Sequence, residues 1–265
     1  MYECWTNLDG TKVRYLESGK GKKRHILFIH GLGSAADRWM KIPDALSTDF
    51  HSIAIDLPGF GESDKPANIN YTIDQLRIFI ISFLKKISIY NEQIGIIGHS
   101  LGGYIASEIA IQNKNHVKQL VLIDSSGMLN NPTPILEEYL EAAMTPTKDN
   151  VRKAFEQMVA DPSRIPSQLV DGFIRRINMQ NAKYAFESTL ANSATTQIGL
   201  SRLQEINTPT LILWGLHDNV IPLEHSKFFK DAISNSILEI IDDAGHAPFA
   251  EKPDIVCKLL REFLI

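Results

Sequence analysis

Ser100 has the surroundings that point most directly to chemistry. It lies at the centre of the pentapeptide G-H-S-L-G (residues 98–102), between a short apolar run at 94–97 and small and apolar residues at helical spacing. A serine at a tight strand-to-helix turn adopts strained backbone angles, and glycines two residues to either side avoid collisions there. A serine that only capped an ordinary helix would need neither glycine. The pattern therefore predicts a nucleophile elbow, which presents the serine hydroxyl for attack.

Two further residues supply what a serine nucleophile needs, a base and an acid that orients the base. Asp218 follows an apolar run in the segment G-L-H-D-N, and His246 follows the next apolar run in A-G-H-A-P-F. In the predicted catalytic triad, His246 accepts the proton of Ser100 and Asp218 holds the imidazole in the working tautomer. The motif histidines His30 and His99 are expected only to shape their loops.

Strands that alternate with helices would hold the three triad residues together. Residues 2–6 and 11–17 alternate apolar and polar side chains around Asp9-Gly10, which predicts an N-terminal antiparallel hairpin. Helical stretches then separate continuous apolar runs, which predicts a parallel sheet with helices on both faces. Each triad residue follows the carboxyl end of a strand, so all three are expected at one edge of the sheet. The predicted strands are 26–29, 52–55, 94–97, 120–123, 210–214 and 237–241, and the predicted helices are about 37–46, 71–87, 104–111, 222–233 and 253–264.

The pattern changes between residues 128 and 200, a segment that is called the cap below. It has no strand-like run, and several prolines separate its helical stretches. An insert at the carboxyl edge of a parallel sheet lies where ligands bind. We therefore predict a core of residues 1–127 and 201–265 with a helical cap or lid over its site. The predicted cap helices are about 135–144, 148–160, 167–179 and 182–200.

Along nearly its whole length the sequence resembles the α/β-hydrolase superfamily. The resemblance rests on H-G-L-G at 30–33, D-L-P-G-F-G-E-S at 56–63 and G-H-S-L-G-G at 98–103, followed by the aspartate and histidine loops in the family's order. It implies the α/β-hydrolase fold, a mostly parallel central sheet with an N-terminal antiparallel hairpin, helices on both faces and a helical cap insert.

The resemblance also concerns the groups around the triad. The backbone N–H after the nucleophile, that of Leu101, would donate to a developing oxyanion, and the resemblance places the second donor at the N–H of Leu32. Some family members carry the acid after the strand that ends here at Asp124. Asp124 is therefore an alternative to Asp218, which is preferred.

The type of reaction follows from two positions. Serine at the elbow, rather than aspartate, argues against dehalogenase and epoxide hydrolase chemistry. The sequence is similar to carboxylesterases, carbon-carbon bond hydrolases of ring-cleavage products, enol-lactonases and pimeloyl-carrier-protein methyl esterases. Ala247 stands where the carbon-carbon hydrolases usually carry tryptophan, so we expect ester hydrolysis through an acyl-enzyme, with short to medium apolar acyl groups. The alternative for the candidate pocket residues is that they pack the cap onto itself and the core. These residues are Met128, Leu129, Met144, Phe155, Met158, Phe173 and Phe186.

Composition limits the partners of the protein. The 265 residues carry a net charge of −4, which argues against nucleic acid. No apolar run reaches the roughly 18 residues of a membrane span, and the N-terminus lacks the pattern of a signal peptide, so we expect a cytoplasmic protein that acts on a small-molecule ester. The cysteines and histidines show no metal-binding spacing, and we expect neither a metal nor a cofactor.

Two interpretations from other classes stay open. The segment G-L-G-S-A-A at 31–36 and Asp56 after the next strand approach a dinucleotide-binding fingerprint. The hairpin before this segment and the D-x-P-G-F-G pattern at Asp56 argue against that interpretation. A non-catalytic ligand-binding protein on the same fold is the second, because a fold does not determine function. The presence of all three triad candidates favours an enzyme.

Overall fold

One central sheet organises the molecule. Within residues 1–39, 41–90 and 92–265, which the computed structural model describes, eight strands form this sheet. They are β1 (Tyr2–Leu8), β2 (Thr11–Ser18), β3 (His25–Ile29), β4 (His51–Ile55), β5 (Ile94–His99), β6 (Val117–Ile123), β7 (Thr210–Gly215) and β8 (Ser236–Ile241). Their order is β1-β2-β4-β3-β5-β6-β7-β8. Strand β2 is antiparallel to β1 and β4 and the other neighbours are parallel, which confirms the predicted sheet and hairpin.

The apolar strands are buried on both faces of the sheet. In β3, Leu27 and Ile29 pack into the core on one face, and Ile26 and Phe28 pack into the core on the other. Successive side chains of a strand point to opposite faces, so a strand covered on both sides is apolar throughout.

Helices cover both faces. They are α1 (Lys41–Leu46), α2 (Ile73–Lys86), α3 (Leu101–Gln112), α4 (Pro134–Met144), α5 (Lys148–Glu156), α6 (Ser167–Ile177), α7 (Ala182–Ala194), α8 (Leu200–Leu203), α9 (Glu224–Ala232), α10 (Pro248–Glu251) and α11 (Pro253–Leu264). Helices α2, α3 and α9 pack on one face, and α1 and α11 pack on the other. None of the helices in the described part of the chain is long and apolar enough to cross a membrane.

The second cap helix is shorter than predicted. The sequence pattern predicts a helix over 148–160, but α5 ends at Glu156. Beyond it the chain turns toward the core, where the carbonyl of Met158 accepts the N–H of His246 at 2.7 Å. A contact with a distant segment replaces the last helical turn.

Two other predicted helices are also divided. The helix predicted over 182–200 ends at Ala194, and Gly199, with φ of 77°, separates it from α8. The helix predicted over 37–46 is a 3₁₀ turn, Ala36–Trp39, followed by α1, with Met40 outside the described residues. Gly199 precedes α8 as its N-cap residue, and its positive φ favours glycine, so it marks the start of α8 rather than the end of α7.

Candidate active site

Ser100 lies at the junction of β5 and α3. Its backbone has φ of 51° and ψ of −118°, a strained combination for a residue with a side chain. A Cβ atom at Gly98 would lie 2.2 Å from the carbonyl oxygen of Gly102, and one at Gly102 would lie 2.1 Å from the carbonyl oxygen of Ile29. Both positions therefore require glycine, which is the physical basis of the G-x-S-x-G pattern here.

His246 and Asp218 form a hydrogen-bonded pair in a buried environment. The Nδ1 atom of His246 lies 2.8 Å from Oδ2 of Asp218, whose side chain is 0% exposed. The other oxygen, Oδ1, accepts the N–H groups of Val220 at 2.8 Å and Ile221 at 3.0 Å. A carboxylate held by these donors keeps the imidazole proton on Nδ1 and leaves Nε2 free to accept a proton.

Asp124, the alternative acid, lies beside this pair. One polar atom each of Asp124, Asp218 and His246 lie within 4.8 Å of one another. Oδ1 of Asp124 accepts the N–H of Gly215 at 2.8 Å, whereas Oδ2 has no hydrogen-bond partner among the described residues. Burial and the Asp218 carboxylate raise the pKa of Asp124 well above its ordinary value. The raised pKa favours the neutral form of Asp124, and the hydrogen bond to the histidine belongs to Asp218.

The two expected oxyanion donors lie on adjacent loops. Leu101 is the first residue of α3, where an N–H has no intrahelical acceptor. A Cβ atom at Gly31 would lie 3.1 Å from Cβ of Ser100, so the loop that carries Leu32 touches the elbow. Neither the N–H of Leu32 nor that of Leu101 donates to another group in the described part of the chain. Both N–H groups are thus without an acceptor among the described residues, as the predicted oxyanion donors would be before a ligand binds.

The motif histidines tie these loops together. Nδ1 of His30 donates to the carbonyl of Gly31 at 2.7 Å, and its Nε2 accepts the N–H of Leu57 at 3.0 Å. Nε2 of His99 donates to the carbonyl of His246 at 2.6 Å. Burial lowers the pKa of His30, and burial together with His246 lowers that of His99 well below its ordinary value. Both are neutral groups that shape the site.

The chain is similar to known hydrolases in sequence and in fold. Residues 24–253 match the family model of the alpha/beta hydrolase fold. The chain belongs to the α/β-hydrolase family. It is 27% identical to the uncharacterized hydrolase YugF of Bacillus subtilis, over 97% of this chain and 96% of that protein. It is 28% identical to lipase 3 of a Moraxella species, over 93% and 79% of the two chains. A solved meta-cleavage product hydrolase from Pseudomonas fluorescens superposes with a TM-score of 0.88 at 26% identity, over 98% of this chain and 97% of that one.

In this α/β-hydrolase the cap packs directly on the histidine loop. The carboxylate of Glu251, in α10, accepts the N–H of Ala160 in the cap at 2.8 Å. It also accepts the N–H groups of Gly245 and Ala247, which flank His246, at 3.0 and 3.3 Å. Sequence reasoning missed Glu251, because its partners are backbone groups that leave no motif.

A cavity opens at Ser100 between the core and the cap. Its empty volume is about 880 Å³ including the open mouth, and Ser100 and His246 both line it. Of the predicted pocket residues, Phe155, Met158 and Phe173 line this cavity. Phe186 lines a smaller neighbouring pocket, and Met128, Leu129 and Met144 pack against the core elsewhere. Sequence reasoning missed the other apolar or aromatic lining residues Leu136, Tyr139, Val159, Ile165, Leu169 and Val220.

Four charged residues, called the cap clasp below, join the cap to the core. Arg175 and Arg176 of α6 both bind Glu62, with distances of 3.1 Å from Nη1 of Arg175 and 2.8 Å from Nε of Arg176. Arg176 also binds Asp37. The hydrogen bond from Arg175, together with Arg176, lowers the pKa of Glu62 to about 2, against the effect of burial. The two cap arginines are thus paired within the protein.

The geometry around Asp56 argues against a dinucleotide site. The side chain of Asp56 is 0% exposed. Its oxygens accept the N–H of Ala36 at 2.6 Å and the N–H of Glu62 at 2.8 Å, and Arg14 donates to it at 3.1 Å. A carboxylate occupied by internal donors is not available to the hydroxyls of a ribose.

Proposed function

We propose that this protein is a serine hydrolase that cleaves carboxylic esters of short to medium apolar acyl groups through an acyl-enzyme. One observation supports this proposal above the others. Ser100, in its strained elbow, and His246, hydrogen-bonded to the buried Asp218, both line one cavity with an apolar wall. Ester cleavage needs an alcohol nucleophile, a base whose acceptor nitrogen is free, and an apolar pocket for the acyl group.

In the proposed first step, Oγ of Ser100 attacks the ester carbonyl carbon while its proton passes to Nε2 of His246. The carbonyl oxygen becomes an oxyanion that accepts the N–H groups of Leu32 and Leu101. The carbon-oxygen bond to the alcohol then breaks, and the alcohol leaves with the proton from His246. Asp218 stabilises the imidazolium that forms between these transfers.

In the second step, water attacks the acyl-enzyme. His246 takes a proton from the water, and the ester bond to Oγ of Ser100 breaks with return of that proton to Oγ. The free acid leaves the cavity. Ser100 Oγ and Nε2 of His246 make no hydrogen bond to each other in the described structure, and such contacts commonly tighten only when substrate binds.

A chain-length series of p-nitrophenyl esters tests the proposal. We expect turnover by the wild type with a maximum at short to medium acyl chains. Ser100→Ala should lower kcat on the order of 10⁶-fold, as in a well-studied serine protease, because no nucleophile remains. A fluorophosphonate should add its mass to the wild type and not to Ser100→Ala. Turnover that survives in Ser100→Ala would contradict the proposed chemistry.

Carbon-carbon bond cleavage is the second candidate, supported by the similarity to a meta-cleavage product hydrolase. The same nucleophile and cavity would serve it, and Ala247 in place of tryptophan speaks for the ester. No turnover across the ester series, with retained fluorophosphonate labelling, would favour this candidate, an enol-lactonase or a carrier-protein methyl esterase. Absence of both turnover and labelling in folded protein would favour a non-catalytic binding protein.

A further inference from the structure

Arg38 brings a positively charged guanidinium to the cavity that Ser100 and His246 line. It lies in the 3₁₀ turn Ala36–Trp39, shortly after the loop that carries Leu32. Its side chain lines the same cavity as Ser100 and His246. The proposed ester chemistry assigns no role to a cation in this place.

Two other arginines that are at least partly buried show how this protein satisfies a guanidinium. Arg14 donates to Asp37 at 2.8 Å, and Arg176 donates to Glu62 at 2.8 Å. The guanidinium of Arg38 makes no hydrogen bond, ion pair or cation–π contact with any residue that the structure describes, and only the backbone N–H of Arg38 is bonded, to the carbonyl of Ala35 at 3.2 Å. It is thus the exception among the arginines around the site.

The carboxylate that acts electrostatically on Arg38 is that of Glu251. It lies beyond the 4.0 Å of an ion pair with Arg38. Its oxygens are already occupied by the N–H groups of Ala160, Gly245 and Ala247. Glu251 therefore holds the histidine loop and leaves the hydrogen-bond donors of Arg38 unused.

The surroundings of Arg38 favour an anion. Burial lowers the pKa of its guanidinium, yet arginine stays charged at neutral pH. The side chain is partly exposed, and none of its nitrogens is a sealed, unpartnered atom, so they remain open to the cavity. No carboxylate is among the described residues that line this cavity. A cation that has lost part of its hydration and has no internal partner is stabilised when an anion binds to it.

We propose that Arg38 forms an anion subsite of the cavity, and that the substrate is an ester whose apolar chain ends in a carboxylate. A carboxylate matches the planar guanidinium through two parallel N–H···O hydrogen bonds. The apolar wall suits the methylene chain that joins the two ends of such a substrate. The identity of the cleaved bond rests on the proposed function, whereas binding of the carboxylate does not require cleavage.

A matched pair of substrates tests the subsite. Mono-p-nitrophenyl adipate and p-nitrophenyl hexanoate differ only in a carboxylate that replaces the terminal methyl group. We expect the ratio of kcat/KM for the adipate to that for the hexanoate to fall by about tenfold or more in Arg38→Gln, because hydrogen bonds between charged groups contribute that much. A ratio that changes less than about threefold would overturn the proposal.

Two further variants guard this comparison. Arg38→Lys keeps the charge without the planar fork and should retain part of the ratio, so the comparison stays decisive if Arg38→Gln does not fold. Arg152→Gln, on the exposed side of α5, changes the net charge equally and should leave the ratio unchanged. If the ratio of kcat/KM values falls in Arg152→Gln as much as in Arg38→Gln, the effect comes from the overall charge, and the proposed subsite is overturned.

A binding experiment separates this inference from the proposed function. Monomethyl adipate and dimethyl adipate are titrated by calorimetry into Ser100→Ala protein, which retains the cavity. We expect the monomethyl ester to bind about tenfold more tightly or better, and this preference to disappear when Arg38→Gln is added. Arg38-dependent binding without ester turnover would contradict only the proposed function. Ester turnover with equal binding of the two probes would contradict only the subsite.

Discussion

The carboxyl edge of the sheet and the cap over it are held in place by different kinds of contact. Ser100 follows β5 directly, and the loops of Asp218 and His246 follow β7 and β8, which pair residue by residue from Thr210 to Gly215. The cap instead meets the core through contacts between distant segments, such as Met158 with His246 and the cap clasp. The residues of the predicted triad thus follow the ends of regular strands, whereas contacts between segments far apart in sequence fix the cap to the core.

This difference indicates which positions should tolerate amino-acid substitutions. A strand end in a parallel sheet is held by hydrogen bonds to the neighbouring strands, on both sides for β5 and β7 and on one side for the edge strand β8. A loop of a few residues can therefore place a residue of the predicted triad accurately. The cap can change its side chains without moving those strand ends. We therefore expect substitutions at the edge to change kcat strongly, and substitutions at the cap contacts to have smaller, graded effects.

The largest difference is expected between two aspartates at the sheet edge. Asp218→Asn should lower kcat roughly 10⁴-fold, because an amide no longer fixes the working tautomer of the histidine. Asp124→Asn should lower kcat less than about tenfold, since the raised pKa of Asp124 favours a neutral acid, which an amide resembles in shape. The amide oxygen can also accept the N–H of Gly215, as Oδ1 of Asp124 does. Steady-state kinetics of both variants on one ester checks this order.

The reverse order would mean that Asp124 is the working acid and that the hydrogen bond of His246 to Asp218 does not reflect the active state. A pH profile of kcat/KM for Asp124→Asn is the control. Its shape should match that of the wild type, because the raised pKa of Asp124 favours the uncharged form of this carboxyl group. A displaced profile with unchanged stability would contradict the neutral state of Asp124.

Much of the edge could be predicted from the sequence, because its signals are local. Apolar runs mark strands, and the G-x-S-x-G spacing encodes contacts between backbones, as the close approach of Gly98 to Gly102 shows. The fold class and its N-terminal hairpin are confirmed in this way. The triad remains a prediction. The structure contains the hydrogen bond between Asp218 and His246 that this prediction requires.

The cap could be predicted only in outline. Its helices were expected from period and proline positions, but α5 ends early because Met158 binds the histidine loop, which no local pattern indicates. Met128, Leu129 and Met144 have the apolar character of pocket residues and lie elsewhere. Hydrophobicity predicts burial, and it does not predict which buried surface faces a cavity.

The junction of edge and cap should show an intermediate effect at Glu251. Glu251→Ala removes the acceptor of three backbone N–H groups, at 2.8, 3.0 and 3.3 Å, and leaves these partly buried groups without that acceptor. We expect a loss of about 2–4 kcal/mol in the free energy of unfolding and a lower kcat, because the loop that carries His246 loosens. Urea unfolding and ester kinetics measure the two quantities.

Two variants sharpen this result. Glu251→Gln keeps one acceptor oxygen and should lose less stability than Glu251→Ala. Glu262→Ala, at an exposed position of α11, should change neither stability nor kcat appreciably. If Glu251→Ala lowers stability while kcat stays at the wild-type value, the carboxylate supports the cap alone and does not position the catalytic histidine.

The smallest effect is expected at the cap clasp, and it should depend on pH. Glu62 has a pKa of about 2 in the folded protein and an ordinary value of 4.5. A carboxyl group whose pKa is lowered on folding contributes stability above its unfolded pKa and loses that contribution as the pH falls from about 4.5 toward 2. Glu62→Gln should therefore lower the free energy of unfolding by about 1 kcal/mol at pH 7 and by less at pH 3.

Urea unfolding of the wild type and Glu62→Gln at both pH values measures this difference, with Glu187→Gln, exposed on α7, as the matched control. The wild type alone would unfold more easily at pH 3 for many reasons, so the decisive quantity is the gap between wild type and variant. A gap that stays constant from pH 7 to pH 3 would show that the arginines hold Glu62 by geometry and not by charge. A gap that closes would show that ion pairs join the cap to a sheet edge whose own residues are fixed by backbone hydrogen bonds.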